Sequence, residues 1–218
     1  RFVKDVKKDK EYKGNVLYDC AIRYNDEIIK KLLVFLKEEK LLDNTIVVFT
    51  ADHGGQFPNL PVRDNQKHRI NSFVDELYRI PLMFFNKDIK PQVYEELVSS
   101  VDINTTLLDM IGIKAPASFR GTTILSNNFI RENVMFENSG RGPCDLKHKP
   151  IRVCVRTKYK KIVYESQPNE KSRGFVREAF DLITDSDEIN NLSNNKKFLE
   201  KCRPIIEVAK KRVKEILN

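Results

Sequence analysis

The chain has 218 residues, enough for one large domain or a domain with a subdomain, and its 40% hydrophobic and 32% charged residues fit a globular protein with a highly charged surface. No run of 18 apolar residues occurs, which excludes a transmembrane helix within it, and Cys20, Cys144, Cys154 and Cys202 match no zinc spacing and demand no disulfide. The net charge of +8 gathers at the two ends, where Asp5, Asp9, Glu11, Glu200, Glu207 and Glu215 interrupt the basic runs. That pattern reads as a solvated face that attracts anions, and without a binding motif no nucleic-acid partner is expected.

In chain order, Leu17, Ala21, Tyr24, Ile28, Leu32 and Phe35 recur at spacings of three and four. They predict an amphipathic helix running to about Leu42, with Cys20 as a buried thiol on its apolar face. Asp43-Asn44 ends it, and Thr45 to Thr50 follows as a strand buried on both faces, as in a parallel sheet covered by helices. A polar loop runs from Asp52 to about Asn71, and Ile80 to Phe85 is a second buried strand. Asn86-Lys87-Asp88 is a turn, and Pro91 to Leu97 starts another element. Asp102 caps a helix over Ile103 to Ile111, which Gly112 stops.

From Ala115 to Asn128 the sequence is irregular. Val134 to Glu137, Ile151 to Thr157 and Lys160 to Tyr164 then read as short strands of a half-exposed antiparallel sheet, because apolar Val153 and Val155 alternate with Arg152, Cys154 and Arg156. A last helix spans about Lys196 to Leu217, with a break near Cys202-Arg203 forced by Pro204. The expected division is an α/β portion over 1–128 and a smaller antiparallel sheet with a closing helix over 129–218.

The chemistry concentrates where the first strand stops, at Asp52-His53-Gly54-Gly55. Ligands in open α/β sheets bind beyond the carboxyl ends of strands. A carboxylate and an imidazole there are a candidate metal or oxyanion site, and the glycines permit positive φ and close backbone approach. Further on, Lys67-His68-Arg69 precedes Asp75-Glu76-Leu77-Tyr78-Arg79-Ile80-Pro81, and the loop from Asn138 to Pro150 carries Arg141, Lys147 and His148. Irregular loops of this kind often carry function.

Five segments in this order resemble the sulfatase family, within the alkaline-phosphatase-like superfamily of metal-dependent hydrolases. They are Tyr18 to Asp26, Thr45 to Gly55, Asp75 to Leu82, Val101 to Gly112, and Phe180 to Leu192 with its Asp181-Leu182-Ile183-Thr184-Asp185-Ser186-Asp187-Glu188 core. The likeness covers about Val16 to Leu192 and matches the C-terminal half of the family's enzymes. It implies part of an α/β/α sheet sandwich followed by the small antiparallel sheet. It also implies Asp52 and His53 as ligands of a divalent metal, Ca2+ foremost and Mg2+ or Mn2+ as alternatives.

A lysine that contacts the ester oxygens follows in the family. Lys67 is the expected residue and Arg69 its alternative, and Lys67-His68 resembles a Lys-His pair common there. Lys67 and His68 are therefore the catalytic candidates, and Arg69, Arg141 and His148 the substrate-binding ones.

The family's Cys-x-Pro-x-Arg segment, whose cysteine becomes the formylglycine nucleophile, is not among these 218 residues, nor are its paired N-terminal aspartates. Cys202-Arg203-Pro204-Ile205-Ile206 begins like that segment but has Ile206 where Arg is required. Thr105 stands where the family usually has Pro. With Arg1 in place of Met, the expectation is a fragment of a sulfatase-like hydrolase of sulfate esters on small molecules or glycans, inactive by itself, with its nucleophile in a missing N-terminal half. Two rivals are a phosphonate or phosphodiester hydrolase or phospho-group transferase of the same superfamily, and a non-catalytic polyanion-binding module. Compartment and oligomeric state are not assigned by the sequence.

Overall fold

A computed structural model describes residues 15–55, 73–126, 128–139, 150–167 and 173–217. The described chain divides into two compact units, one of residues 15–55 and 75–92, the other of residues 73–74 and 93–217. Residues 93–126, grouped by sequence with the α/β portion, cluster with the antiparallel sheet in this division.

The first unit begins with α1, Val16–Glu38, whose N-cap Asn15 accepts from Tyr18 N–H. It ends four residues earlier than the hydrophobic spacing predicts. Lys40 takes φ 57°, and the Leu41 and Lys40 amides donate to the Leu36 and Lys37 carbonyls, so a left-handed C-terminal turn stops the helix without a glycine. A 3-10 turn, Leu42–Asn44, leads into β1, Val47–Thr50. After the one-turn helix α2, Asp75–Tyr78, comes β2, Leu82–Phe85.

β1 and β2 pair antiparallel, Val47 opposite Phe85 and Thr50 opposite Leu82. The expected parallel setting does not hold for this pair. An apolar run records burial, not the direction of its neighbour. Full burial does not hold either: β1 is half-buried, and Met83 and Phe85 of β2 are exposed. The Asn86 amide donates to the Thr45 carbonyl at 2.8 Å and ties the start of β1 to the end of β2.

α1 buries none of its residues. Ile29 and Leu33 are half-buried and, with Leu42 and Phe85, line a shallow cleft. The stripe Leu17, Tyr24, Ile28, Leu32 and Phe35 is exposed within the described structure, and Cys20 is only half-buried, against the expectation of a core face. One helix beside two strands has too little apolar partner surface to cover two stripes.

The second unit contains α3, Val101–Met110, and a four-stranded antiparallel sheet in the order β3, Asn133–Asn138; β4, Arg152–Thr157; β5, Lys160–Ser166; β6, Gly174–Asp181. α4, Lys196–Lys201, and α5, Arg203–Leu217, close it, with the break at Cys202 that Pro204 predicts. Val153, Val155 and Tyr164 pack with Ala209 and Val213, while Ile162 and Ala179 pack with Phe198 and Cys202.

Both faces of β4 are buried, Arg152 and Cys154 included, so the half-exposed reading of its alternation fails. Arg152 is accommodated because its Nε donates to Glu165 at 2.5 Å. β6 was not anticipated as a strand. Pro91 to Leu97 holds no regular element.

Asp102 lies inside the first turn of α3, fully buried, where it accepts from the Ser99 and Thr122 amides and pairs with Arg131. The expectation that Asp102 is the N-cap does not hold: Ser100 is the N-cap and Asp102 is the second residue of the helix, because its carboxylate turns back to the Ser99 amide and across to Thr122 and Arg131. Gly112, at φ 72°, ends the helix.

Candidate functional site

The site-bearing loop leaves β1 at Thr50 and bends at Asp52, at the carboxyl end of the strand. Asp52 Oδ1 accepts the His53 amide at 2.8 Å, a local turn that orients the carboxylate. His53 Nδ1 lies 2.7 Å from the Gly54 carbonyl oxygen. A carbonyl only accepts, so Nδ1–H is the donor in this contact and Nε2 is the outward nitrogen of the ring. That nitrogen is 3.7 Å from Asp52 Oδ2, and the two side chains are 75% and 87% exposed.

Two atoms bound to one calcium ion at about 2.3–2.6 Å and near right angles lie about 3.4 Å apart. The separation observed is close to that. A histidine whose remote N–H is held by a backbone carbonyl is the usual arrangement of a metal-binding imidazole. Asp52 and His53 therefore fit two positions of a divalent-cation site, and among the described residues no third His, Cys, Asp or Glu joins them.

Gly54 fixes this loop to α2. Its amide donates to the Leu77 carbonyl at 2.8 Å, and a Cβ at this position would lie 1.9 Å from the Glu76 carbonyl oxygen. Only glycine allows that approach. Closeness, rather than positive φ, is what the site requires here: among the described glycines only Gly112 has positive φ. The sequence marks Gly54 as permissive, but its approach to Glu76 and Leu77 is a contact between distant positions. The signal was the one-turn segment Asp75-Glu76-Leu77-Tyr78, whose carbonyls face the loop.

Lys67, His68, Arg69, Arg141 and His148 lie outside the described residues. Cys202 is fully buried between α4 and α5, and burial pushes its thiol up, against the lowering pull of Lys160. A buried, protonated thiol is no nucleophile, in keeping with the departure of its segment from Cys-x-Pro-x-Arg.

β1 thus ends in an exposed Asp-His pair on a turn pinned through glycine. The family model described as Sulfatase matches residues 4–113, and that described as N-sulphoglucosamine sulphohydrolase, C-terminal, matches residues 69–216. The chain belongs to the sulfatase family.

Arylsulfatase K of Canis lupus familiaris is 27% identical over 198 residues, which cover 84% of this chain and 34% of that protein. An arylsulfatase of Clostridium perfringens is 28% identical over 199 residues, covering 87% of this chain and 38% of that one. The solved structure of BT4656 in complex with its substrate D-glucosamine-2-N,6-O-disulfate superposes with a TM-score of 0.66 over 95% of this chain and 44% of that one, at 22% identity. That likeness establishes the fold. The chain spans about a third of the length of the curated relatives it matches.

Proposed function

We propose that this chain supplies the cation- and ester-binding side of a sulfate-ester hydrolase whose nucleophile comes from outside these 218 residues. The observation that carries the reading is the exposed Asp52 Oδ2–His53 Nε2 pair, 3.7 Å apart at the end of β1, in a chain of the sulfatase family. Asp52 and His53 would hold a divalent cation, with Ca2+ the first choice for the carboxylate and Mg2+ or Mn2+ as alternatives. Such a cation supplies Lewis-acid polarisation of the ester oxygens. The Gly54 carbonyl keeps the proton on His53 Nδ1, so the outward nitrogen stays an electron donor.

Lys67, with Arg69 as its alternative, would bind the ester oxygens next to His68, and Arg141 and His148 would meet the rest of an anionic substrate. Positive charge there favours the charge that develops on the transferring group. Sulfated amino sugars are the substrate class we favour, because the BT4656 complex holds one and the C-terminal family model takes its description from another.

Calorimetric titration of the whole chain with Ca2+ tests the reading. One equivalent is expected to bind, Asp52→Ala and His53→Ala are expected to abolish binding, and the chain alone is expected not to hydrolyse an aryl sulfate. Salt-sensitive heparin binding that persists in Asp52→Ala, with no Ca2+ binding by the parent chain, would replace this reading with a polyanion-binding module. Efficient aryl-sulfate turnover by the chain alone would overturn the assignment of roles.

A further inference from the structure

The two helices that close the second unit carry more positive charge than their fold uses. Between Lys196 and Leu217 the chain has eight basic and three acidic residues. A helix dipole favours acids at the start of a helix and cations at its end. Both helices reverse the first half of that rule. α4 opens on Lys196-Lys197 and α5 on Arg203, with no acid in either first turn. Helix stability therefore does not account for these cations.

α5 sorts its charges by face. Ala209 and Val213 pack on the sheet, and Arg212 pairs with Glu137 of β3 and with Glu215. On the other flank Glu207 stands amid cations: Arg203 one turn before it, Lys210 and Lys211 one turn after, Lys214 two turns after. Lys210 Nζ donates to Glu207 Oε1 at 2.8 Å. That hydrogen bond, with the charges of Arg203 and Lys214 beside it, holds the Glu207 carboxyl below its ordinary value of 4.5. Among the described residues no carboxylate lies within ion-pair distance of Arg203, Lys211 or Lys214. Four cations around one acid leave three positive charges uncompensated, and like charges one turn apart destabilise a helix. An anion lying along them relieves that repulsion.

From Arg203 to Lys214 the strip runs about 16 Å along the helix axis. That length suits an extended polyanion rather than a single small anion. The exposed residues of α4 and α5 include no aromatic ring on which a base could stack, which disfavours single-stranded nucleic acid. The apolar face of α5 is covered by the sheet, which removes the membrane-binding mode of a basic amphipathic helix. We propose that this flank of α5 docks a sulfated glycan chain, with sulfates on Arg203, Lys211 and Lys214. Sulfate as the anion rests on the sulfate-ester reading above, which the strip extends from a single ester to a polymer; affinity for a polyanion does not rest on it.

The test titrates the full chain with a heparin oligosaccharide over a range of salt concentrations. Arg203→Ala, Lys211→Ala and Lys214→Ala, all at exposed positions, are combined in one variant. Its heparin affinity is expected to fall about thirtyfold, and the slope of log affinity against log salt to shrink by about three, one for each lost contact. Lys30→Ala, Lys31→Ala and Lys37→Ala together remove the same charge from α1 and are expected to change the affinity less than about threefold. Glu207→Gln frees Lys210 and is expected to tighten binding about threefold. Glu215→Gln makes the same change in net charge away from the strip and is expected to leave binding at the parent value.

Equal losses in the two triple variants would mean attraction by net charge alone and overturn the strip, as would parent affinity in the α5 variant. Tighter binding of duplex DNA than of heparin of equal charge overturns the glycan as its partner. A parent that takes up no Ca2+ yet binds heparin through these residues keeps the strip and discards the metal reading. Ca2+ uptake by a parent whose heparin affinity ignores α5 does the reverse.

Discussion

The two units solve the problem of burial differently. The four-stranded sheet covers one face with α4 and α5 and buries Val153, Val155, Ile162 and Ala179 completely. The β1–β2 pair and α1 bury no residue fully. At about 25 cal/mol per Å2 of apolar surface removed from water, stability follows burial. The four-stranded sheet is therefore the better packed of the two, and the Asp52–His53 turn lies in the unit with less burial among the described residues. Among the described residues that turn is held by a few specific bonds, such as Gly54 to Leu77, and the strand pair behind it by others, such as Asn86 to Thr45.

The sharpest way to break this contrast is Gly54→Ala. A methyl placed 1.9 Å from the Glu76 carbonyl forces the loop or α2 to move. Ca2+ binding in calorimetry is expected to weaken by more than tenfold while the exchange protection of β4 and β5 stays at parent levels. Undiminished Ca2+ affinity would mean that the close approach plays no part in holding the ligands.

The converse variant is Val155→Ala, which opens a cavity under α5. It is expected to cost about 2 kcal/mol in urea denaturation and to leave Ca2+ affinity unchanged. A parallel loss of Ca2+ affinity would mean that packing under α5 matters to the ligands as well.

The smallest effect concerns Glu178. Burial holds its carboxyl above the ordinary value of 4.5, outweighing the pull of Arg177, whose Nε is 3.4 Å away. In the window above 4.5 the folded state binds more protons at this group than the unfolded one, so the group's contribution to stability falls as pH rises. Its penalty is full above the raised folded value and vanishes below the unfolded one. Glu178→Gln is expected to raise the melting temperature by about 2 °C at pH 7, with the gain shrinking as the pH is lowered toward 4.5. A gain that grew on acidification would reverse the sign of the burial effect.

How much of this was legible in the sequence follows the same division. The strands β3 to β5 and the break at Cys202 were readable because alternation and Pro204 are local signals. The exposed turn at Asp52 and His53 was readable because a β-branched run ends there in polar residues; a role for the pair came only from the family resemblance. The antiparallel partner of β1 was not, since direction is decided by which segment returns beside it. The exposed stripe of α1 could not be read either, because periodicity reports that a face is apolar and not that anything covers it. The Lys161–Glu188 pair is a contact between distant positions, and nothing local to either residue announces it.

β6 lacks the alternation of its neighbours because it is bulged. Val163 faces Glu178 while Tyr164 faces Val176, so Arg177 is an extra residue with no counterpart on β5. That bulge lets Val176 and Ala179, three positions apart, both reach the helix side, which strict alternation forbids. It also makes the strand tolerant of a change in length. A chain lacking Arg177 would run as an unbroken ladder from Gly174 with Val176 and Ala179 both still inward, and one keeping it needs the bulge to hold both side chains there. When relatives of this chain are aligned, a one-residue gap belongs at this position, and placing it elsewhere in β6 would assign the core side chains to the wrong face.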